Sequence, residues 1–107
     1  MYRVTTPTHT FTLPIETSTC KEIQVTYRQR NKELVKHYQD STLPSGMTLD
    51  GKNVIIRLTQ EETKAFQAKP ADVQVRVLTK GEDAYASQVF KIWIDEVLNE
   101  EILSDEN

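Results

Sequence analysis

The sequence predicts a small all-β domain: an antiparallel β-sandwich, immunoglobulin-like or related, with one short connecting helix at about residues 60–67. Three observations predict it. Apolar and polar residues alternate with period 2 through most of the chain. The turns between these segments are short and polar, which favours antiparallel neighbours. A single window of about two turns switches to helical spacing. A β-barrel of similar strand number is the alternative, because closure is not legible in one sequence.

Phe11, Leu13 and Ile15 alternate with Thr10, Thr12 and Pro14, which reads as a strand with one wet face. Pro14 has no N–H to give a ladder, so this strand should end at an edge or a bend. Ile23, Val25 and Tyr27 alternate with Gln24, Thr26 and Arg28 in the second strand. Gln29 to Lys32 is a polar turn in which Asn31 tolerates the positive φ of a tight hairpin. The return strand, Glu33 to Tyr38, is ambiguous in phase because Leu34 and Val35 are adjacent.

Leu43-Pro44-Ser45-Gly46 is a loop, and Met47-Thr48-Leu49 leads into Asp50-Gly51, a strong hairpin dipeptide. Asn53 to Leu58 follows with Val54, Ile56 and Leu58 on one face. The period then changes. Thr59 offers a hydroxyl at an N-cap and Glu62 a carboxylate three residues on, the capping-box pattern. The helix should cover Gln60 to Gln67, with Ala65 and Phe66 turned inward and Pro70 fixing the exit. Val73, Val75 and Val77 form the next strand, closed by Lys80-Gly81-Glu82-Asp83. The last strand runs from about Tyr85 to Ile94, with Phe90, Ile92 and Ile94 on one face. Trp93 lies on the other face with Val89 and Lys91, either covered by the C-terminal segment or presented to a partner.

At 107 residues the chain is one domain of common size. A net charge of −3 gives no general attraction to nucleic acid or an anionic membrane. No apolar run is long enough to span a bilayer, and the first residues lack the apolar stretch of a signal peptide. With a lone Cys20, the fold does not depend on a disulfide, which fits a reducing compartment, and the chain is expected to be made and folded in a cytoplasm.

Charge is distributed unevenly. All thirteen Lys and Arg lie before Asp95, with only ten of the sixteen Asp and Glu. The remaining carboxylates are Asp95, Glu96, Glu100, Glu101, Asp105 and Glu106, interleaved with Val97, Leu98, Ile102 and Leu103. A solubility tail does not need four large aliphatic residues, and a core strand does not tolerate six carboxylates. The chain therefore divides into a β-sandwich body, 1–95, and an acidic-apolar docking segment, 96–107. As a helix, this segment would carry its apolar residues on one stripe, ordered only when that stripe is buried on the body or on another chain.

Chemistry is sparse. Cys20 sits in a polar Thr-Ser-Thr-Cys-Lys loop and reads as a structural or incidental thiol. His9 shares the phase of Phe11 and reads as a partly buried ring. His9, Cys20 and His37 lack the paired spacing of a zinc site. Arg28, Arg30, Lys32 and Lys36 make a charged hairpin that discourages edge-to-edge aggregation, without the stacking aromatics of a nucleic-acid surface. The expectation is no enzyme, cofactor, metal or small-molecule substrate. The candidate interaction residues are Thr8 and Thr10 of the Thr-rich opening, Trp93, and Val97, Leu98, Ile102 and Leu103.

Four stretches carry a resemblance: Thr6-Pro7-Thr8-His9-Thr10-Phe11-Thr12-Leu13-Pro14, Leu58-Thr59-Gln60-Glu61-Glu62-Thr63, Val75-Arg76-Val77-Leu78-Thr79, and Val97-Leu98-Asn99-Glu100-Glu101-Ile102-Leu103. Together they resemble a small uncharacterised family carried by phages and prophages of Gram-positive bacteria, found among virion and tail genes. A weaker likeness is to the N-terminal β-sandwich of phage baseplate upper proteins. The resemblance implies synthesis in a bacterial host cytoplasm, a virion location and a structural or adaptor role, partnered by other virion proteins or by the chain itself as a homo-oligomer. It carries over no active-site residue. The competing reading is a phage-encoded effector that binds and inhibits a host protein.

Overall fold

A computed structural model describes residues 1–104. Its strands are β1 (Thr8–Thr12), β2 (Cys20–Gln29), β3 (Lys32–Gln39), β4 (Met47–Asp50), β5 (Asn53–Arg57), β6 (Ala71–Thr79), β7 (Ala84–Ala86) and β8 (Phe90–Ile92). One helix, α1 (Gln60–Lys64), and a 3-10 turn at Thr17–Thr19 complete the set. All strand pairs are antiparallel and form two sheets, β1-β5-β4 and β3-β2-β6-β7, with β8 following β7 along β6. The chain changes sheet between β1 and β2, between β3 and β4, and between β5 and β6. This is the immunoglobulin order: β1, β5 and β4 stand as B, E and D, and β3, β2, β6 and β7–β8 as C′, C, F and G. Helix α1 occupies the E–F connection. No described strand stands at the position of A beside β1; Tyr2 makes a parallel bridge to Asp95, past β8 on the side of the large sheet.

The alternation points one row from each sheet into a shared core. Ile23, Val25 and Tyr27 of β2 lie opposite Val77, Val75 and Val73 of β6, and Val54, Ile56 and Leu58 close over them from the small sheet. Each such side chain contributes about 1.5–3 kcal/mol when fully buried. Tyr27 is the buried ring of strand C, and with Cys20 as the only cysteine no disulfide joins the sheets. Instead the Tyr27 hydroxyl bonds Nδ1 of His9 across the sandwich at 2.8 Å.

Two of the turns follow their glycines. Gly51 and Lys52 turn the β4–β5 hairpin, Gly51 with φ of 58°. Gly46 also has positive φ, and a Cβ there would overlap the Arg57 carbonyl oxygen. In the β2–β3 turn the left-handed residue is Arg30, not Asn31.

Several sequence expectations need correction. The capping box forms as expected: Glu62 N–H donates to Thr59 Oγ1 and Thr59 N–H to Glu62 Oε1. The helix, however, stops at Lys64, leaving Phe66 buried and Ala65 exposed. The buried Gln29 carboxamide explains the early exit. Its oxygen accepts Gln67 N–H, and its NH2 donates to the carbonyls of Gln67 and Lys69, so it takes backbone groups a longer helix would use. Cys20 opens β2 inside the core rather than sitting in a loop, and burial pushes its thiol pKa up.

The last strand is broken. Before the break the register pairs Val77 with Tyr85; after it, Val73 pairs with Phe90, one residue out of step. Ser87 makes the break. Its N–H donates to Val75 O, and its hydroxyl accepts Val75 N–H in place of a ladder carbonyl.

Candidate functional site

The phase of β3 is settled by a polar pair. Leu34, Lys36 and Tyr38 face inward, and Val35 faces out. Lys36 is only 6% exposed, so it does not belong to the solvent-facing basic hairpin the sequence suggested. Its Nζ lies 2.6 Å from Oε2 of Glu62. Glu62 thus works twice, as the helix cap and as the partner of a buried ammonium. Burial alone would raise its pKa, but hydrogen bonds from Lys36 and Thr59 outweigh this and hold it below the usual carboxylate value. Burial raises the Tyr27 pKa, and the Glu62 charge adds to the rise. Burial lowers that of His9, helped by the N-terminal charge. These groups bond each other, and among the described residues no buried side-chain N or O lacks a partner. No three His, Cys, Asp or Glu side chains among the described residues gather at metal-binding distance. This interior polar set is occupied in holding the sandwich together.

The C-terminal rim is different. Six large apolar residues between positions 89 and 103 are exposed: Val89, Phe90, Trp93, Leu98, Ile102 and Leu103. Trp93, just past the end of β8 rather than within a strand, is 70% exposed, so the described part of the tail does not cover it. Scattered surface hydrophobes are ordinary, whereas this many within one short stretch is not. No helix forms over residues 96–104, contrary to the sequence expectation. Asp105 and Glu106, counted with that segment, lie outside the described residues.

The segment is instead held by polar contacts. Leu103 N–H donates to Gln60 Oε1, and Gln60 Nε2 donates back to Leu103 O. Arg3 donates to the carbonyls of Lys64 and Phe66 at the end of α1, and it pairs with Glu96 and Glu100. Met1 N–H donates to Trp93 O and Arg3 N–H to Asp95 O, which pins the chain just before the tail. With its backbone and two carboxylates tied down, the segment turns Leu98 and Leu103 outward. Val97 is half-buried, and Ile102 borders a cleft with Thr6, Gly46 and Arg57.

The chain matches no family model, no curated protein and no solved structure.

Thr8 and Thr10 lie on β1, away from the tail in sequence, with their side chains exposed at a sheet edge. The structure also brings forward roles that local pattern did not assign: Arg3 and Gln60 as tail anchors, Ser87 as the strand break, and Lys36, expected in a solvent-facing hairpin, as an interior cation. Only Glu62 had a sequence signal, as a cap, and that signal says nothing of its second role.

Proposed function

We propose that the chain is a non-enzymatic structural or adaptor protein of a phage virion, associated with the tail or baseplate, that works by protein–protein assembly. The observation that supports this most is the rim from Val89 to Leu103, where Trp93, Leu98 and Leu103 face solvent while polar anchors hold the backbone behind them. A pre-ordered apolar surface gives up little conformational freedom on binding, which is what an adaptor contact requires. Beside it Glu96 and Glu100 are paired with Arg3, and Asp95 faces the N-terminal ammonium, so the contact this surface offers is chiefly apolar and fits an apolar patch on another virion protein. The resemblance of four stretches to phage virion and tail proteins supplies the setting.

The test is mass spectrometry of purified particles, with a paired variant as control. The protein is expected in the particles, and Trp93→Ser with Leu98→Ser is expected to deplete it there. The same variant should keep its folding stability within about 0.5 kcal/mol, because both side chains are already exposed. Early expression with absence from particles would replace this reading with that of a host-directed effector.

A further inference from the structure

We propose that β1 pairs with β1 of a second copy of this chain, making a twofold dimer in which the small sheets join into one. Among the described residues, β1 is bonded to β5 on one side only. Leu58 N–H donates to Pro7 O at 3.1 Å and Leu13 N–H to Lys52 O at 2.7 Å, so the odd-numbered residues turn their backbone groups toward β5. By the alternation of a strand, the N–H and C=O groups of Thr8, Thr10 and Thr12 then point to the opposite side. That side is where strand A would lie in an immunoglobulin domain.

Sheet edges are normally guarded by charge, proline or shortness. The edge strand β4 has four residues, and β3 carries Lys32 and Glu33. Strand β1 has no charged residue from Thr8 to Thr12, and proline appears only beyond its ends, at Pro7 and Pro14. This edge is also self-complementary. A second β1 laid antiparallel and centred on Thr10 sets Thr10 against Thr10 and Thr8 against Thr12. Each of these facing pairs exchanges two backbone hydrogen bonds, about six in all. Sliding the register by two residues toward the C-terminal end of β1 sets Thr8 against Pro14, which has no N–H to give, and sliding it the other way sets Thr12 against Thr6, beyond the end of the strand.

The centred register fits the side chains as well. On the outer face Thr stands opposite Thr, a favourable cross-strand pair. On the inner face His9 of one copy meets Phe11 of the other. Phe11 borders an open cleft of about 290 Å³ with Leu13, Val75 and Phe90, and its ring lies 6.5 Å from that of Phe90. An uncharged strand arriving beside Phe11 covers apolar surface there without bringing a charge into it. A second copy supplies such a strand and a matching set of donors and acceptors, independently of the C-terminal rim.

Sedimentation of the full chain across a concentration series should show a monomer–dimer equilibrium. Thr10→Pro removes the central outward N–H and leaves the bonds to β5 intact, so it should weaken the dimer by about tenfold or more. Trp93→Ser should not weaken it. Facing Cα atoms in such a pair sit about 5.5 Å apart, within disulfide reach. Thr10→Cys in a Cys20→Ser background should therefore cross-link two copies on oxidation, and Thr48→Cys on β4 should not. The cross-link decides the matter even if Thr10→Pro misfolds. A chain that stays monomeric at every concentration overturns the proposal, as does a dimer in which Thr10→Cys forms no link.

Discussion

The middle of the large sheet and its β8 edge are built from the same alternation of large apolar side chains and end in opposite states. Ile23, Val25 and Tyr27 have β3 on one flank, β6 on the other and the small sheet above, and all three are buried. Phe90 and Ile92 have β6 on one flank only, and Phe90 is 46% exposed, whereas Ile94, past β8 where Met1 and Arg3 bond the backbone of Trp93 and Asp95, is 4% exposed. Alternation decides which way a side chain points. Whether it is sealed depends on what stands on the remaining sides. The interior is therefore where stability resides, and the rim is where apolar surface remains available for contact.

The largest effect should come from the interior. Phe66, just past α1, is 1% exposed, and Phe66→Ala should cost about 3–5 kcal/mol, read as a lowered urea midpoint. A loss below about 1 kcal/mol would mean that the interior is as loosely filled as the rim, and the contrast would fail.

A smaller loss is expected where the interior is polar. Lys36→Met keeps the bulk but leaves the Glu62 carboxylate unpaired. Breaking a fully buried pair costs about 3–5 kcal/mol, but the Glu62 side chain is 20% exposed, so we expect about 2 kcal/mol at pH 7. The sign of the pH dependence follows from the lowered pKa of Glu62. That group contributes stability above its unfolded pKa, and the contribution is lost as pH falls through the lower folded value. The gap between wild type and Lys36→Met should therefore narrow in acid, as read by urea midpoints at neutral and acidic pH. An unchanged gap would remove Glu62 from the account.

The smallest effect belongs to His9, half-buried between interior and rim. Its folded pKa is lowered, so the unfolded chain takes up the proton first as pH falls. Stability from the neutral ring is complete above the unfolded value, about 6.5, and declines as pH drops through that value toward the folded one. His9→Gln can keep a partner for the Tyr27 hydroxyl and should flatten the decline between pH 7 and 5. Equal slopes in the two proteins would place His9 with the rim.

Strands β2 and β6 and the capping box are legible in the sequence because their causes are local: alternation, or a hydroxyl three residues before a carboxylate. What escaped is set from a distance. Lys36 faces inward because Glu62 is there to receive it, and α1 ends early because Gln29 takes the backbone beyond it. Residues 96–104 are not helical: Gln60 and Arg3 hold their backbone and carboxylates, which no helical stripe foretells. Leu98 and Ile102 were recognisable as apolar residues among carboxylates; their orientation was not, since it depends on those anchors.

Ser87 gives the β7–β8 edge something like a reading frame. Upstream of it, Tyr85 shares the face of the inward Val77; downstream, that face passes to Phe90, Ile92 and Ile94, and Trp93 comes out on the far side. One residue of offset therefore selects which side chains are offered to the outside. Adding or removing a single residue between Ser87 and Val89 would exchange the two sets, driving Lys91 and Trp93 inward and Ile94 out, whereas a change of two residues would restore the phase. Length variation in this loop should thus be tolerated by parity, and an insertion scan would show it as an alternation of folded and unfolded chains.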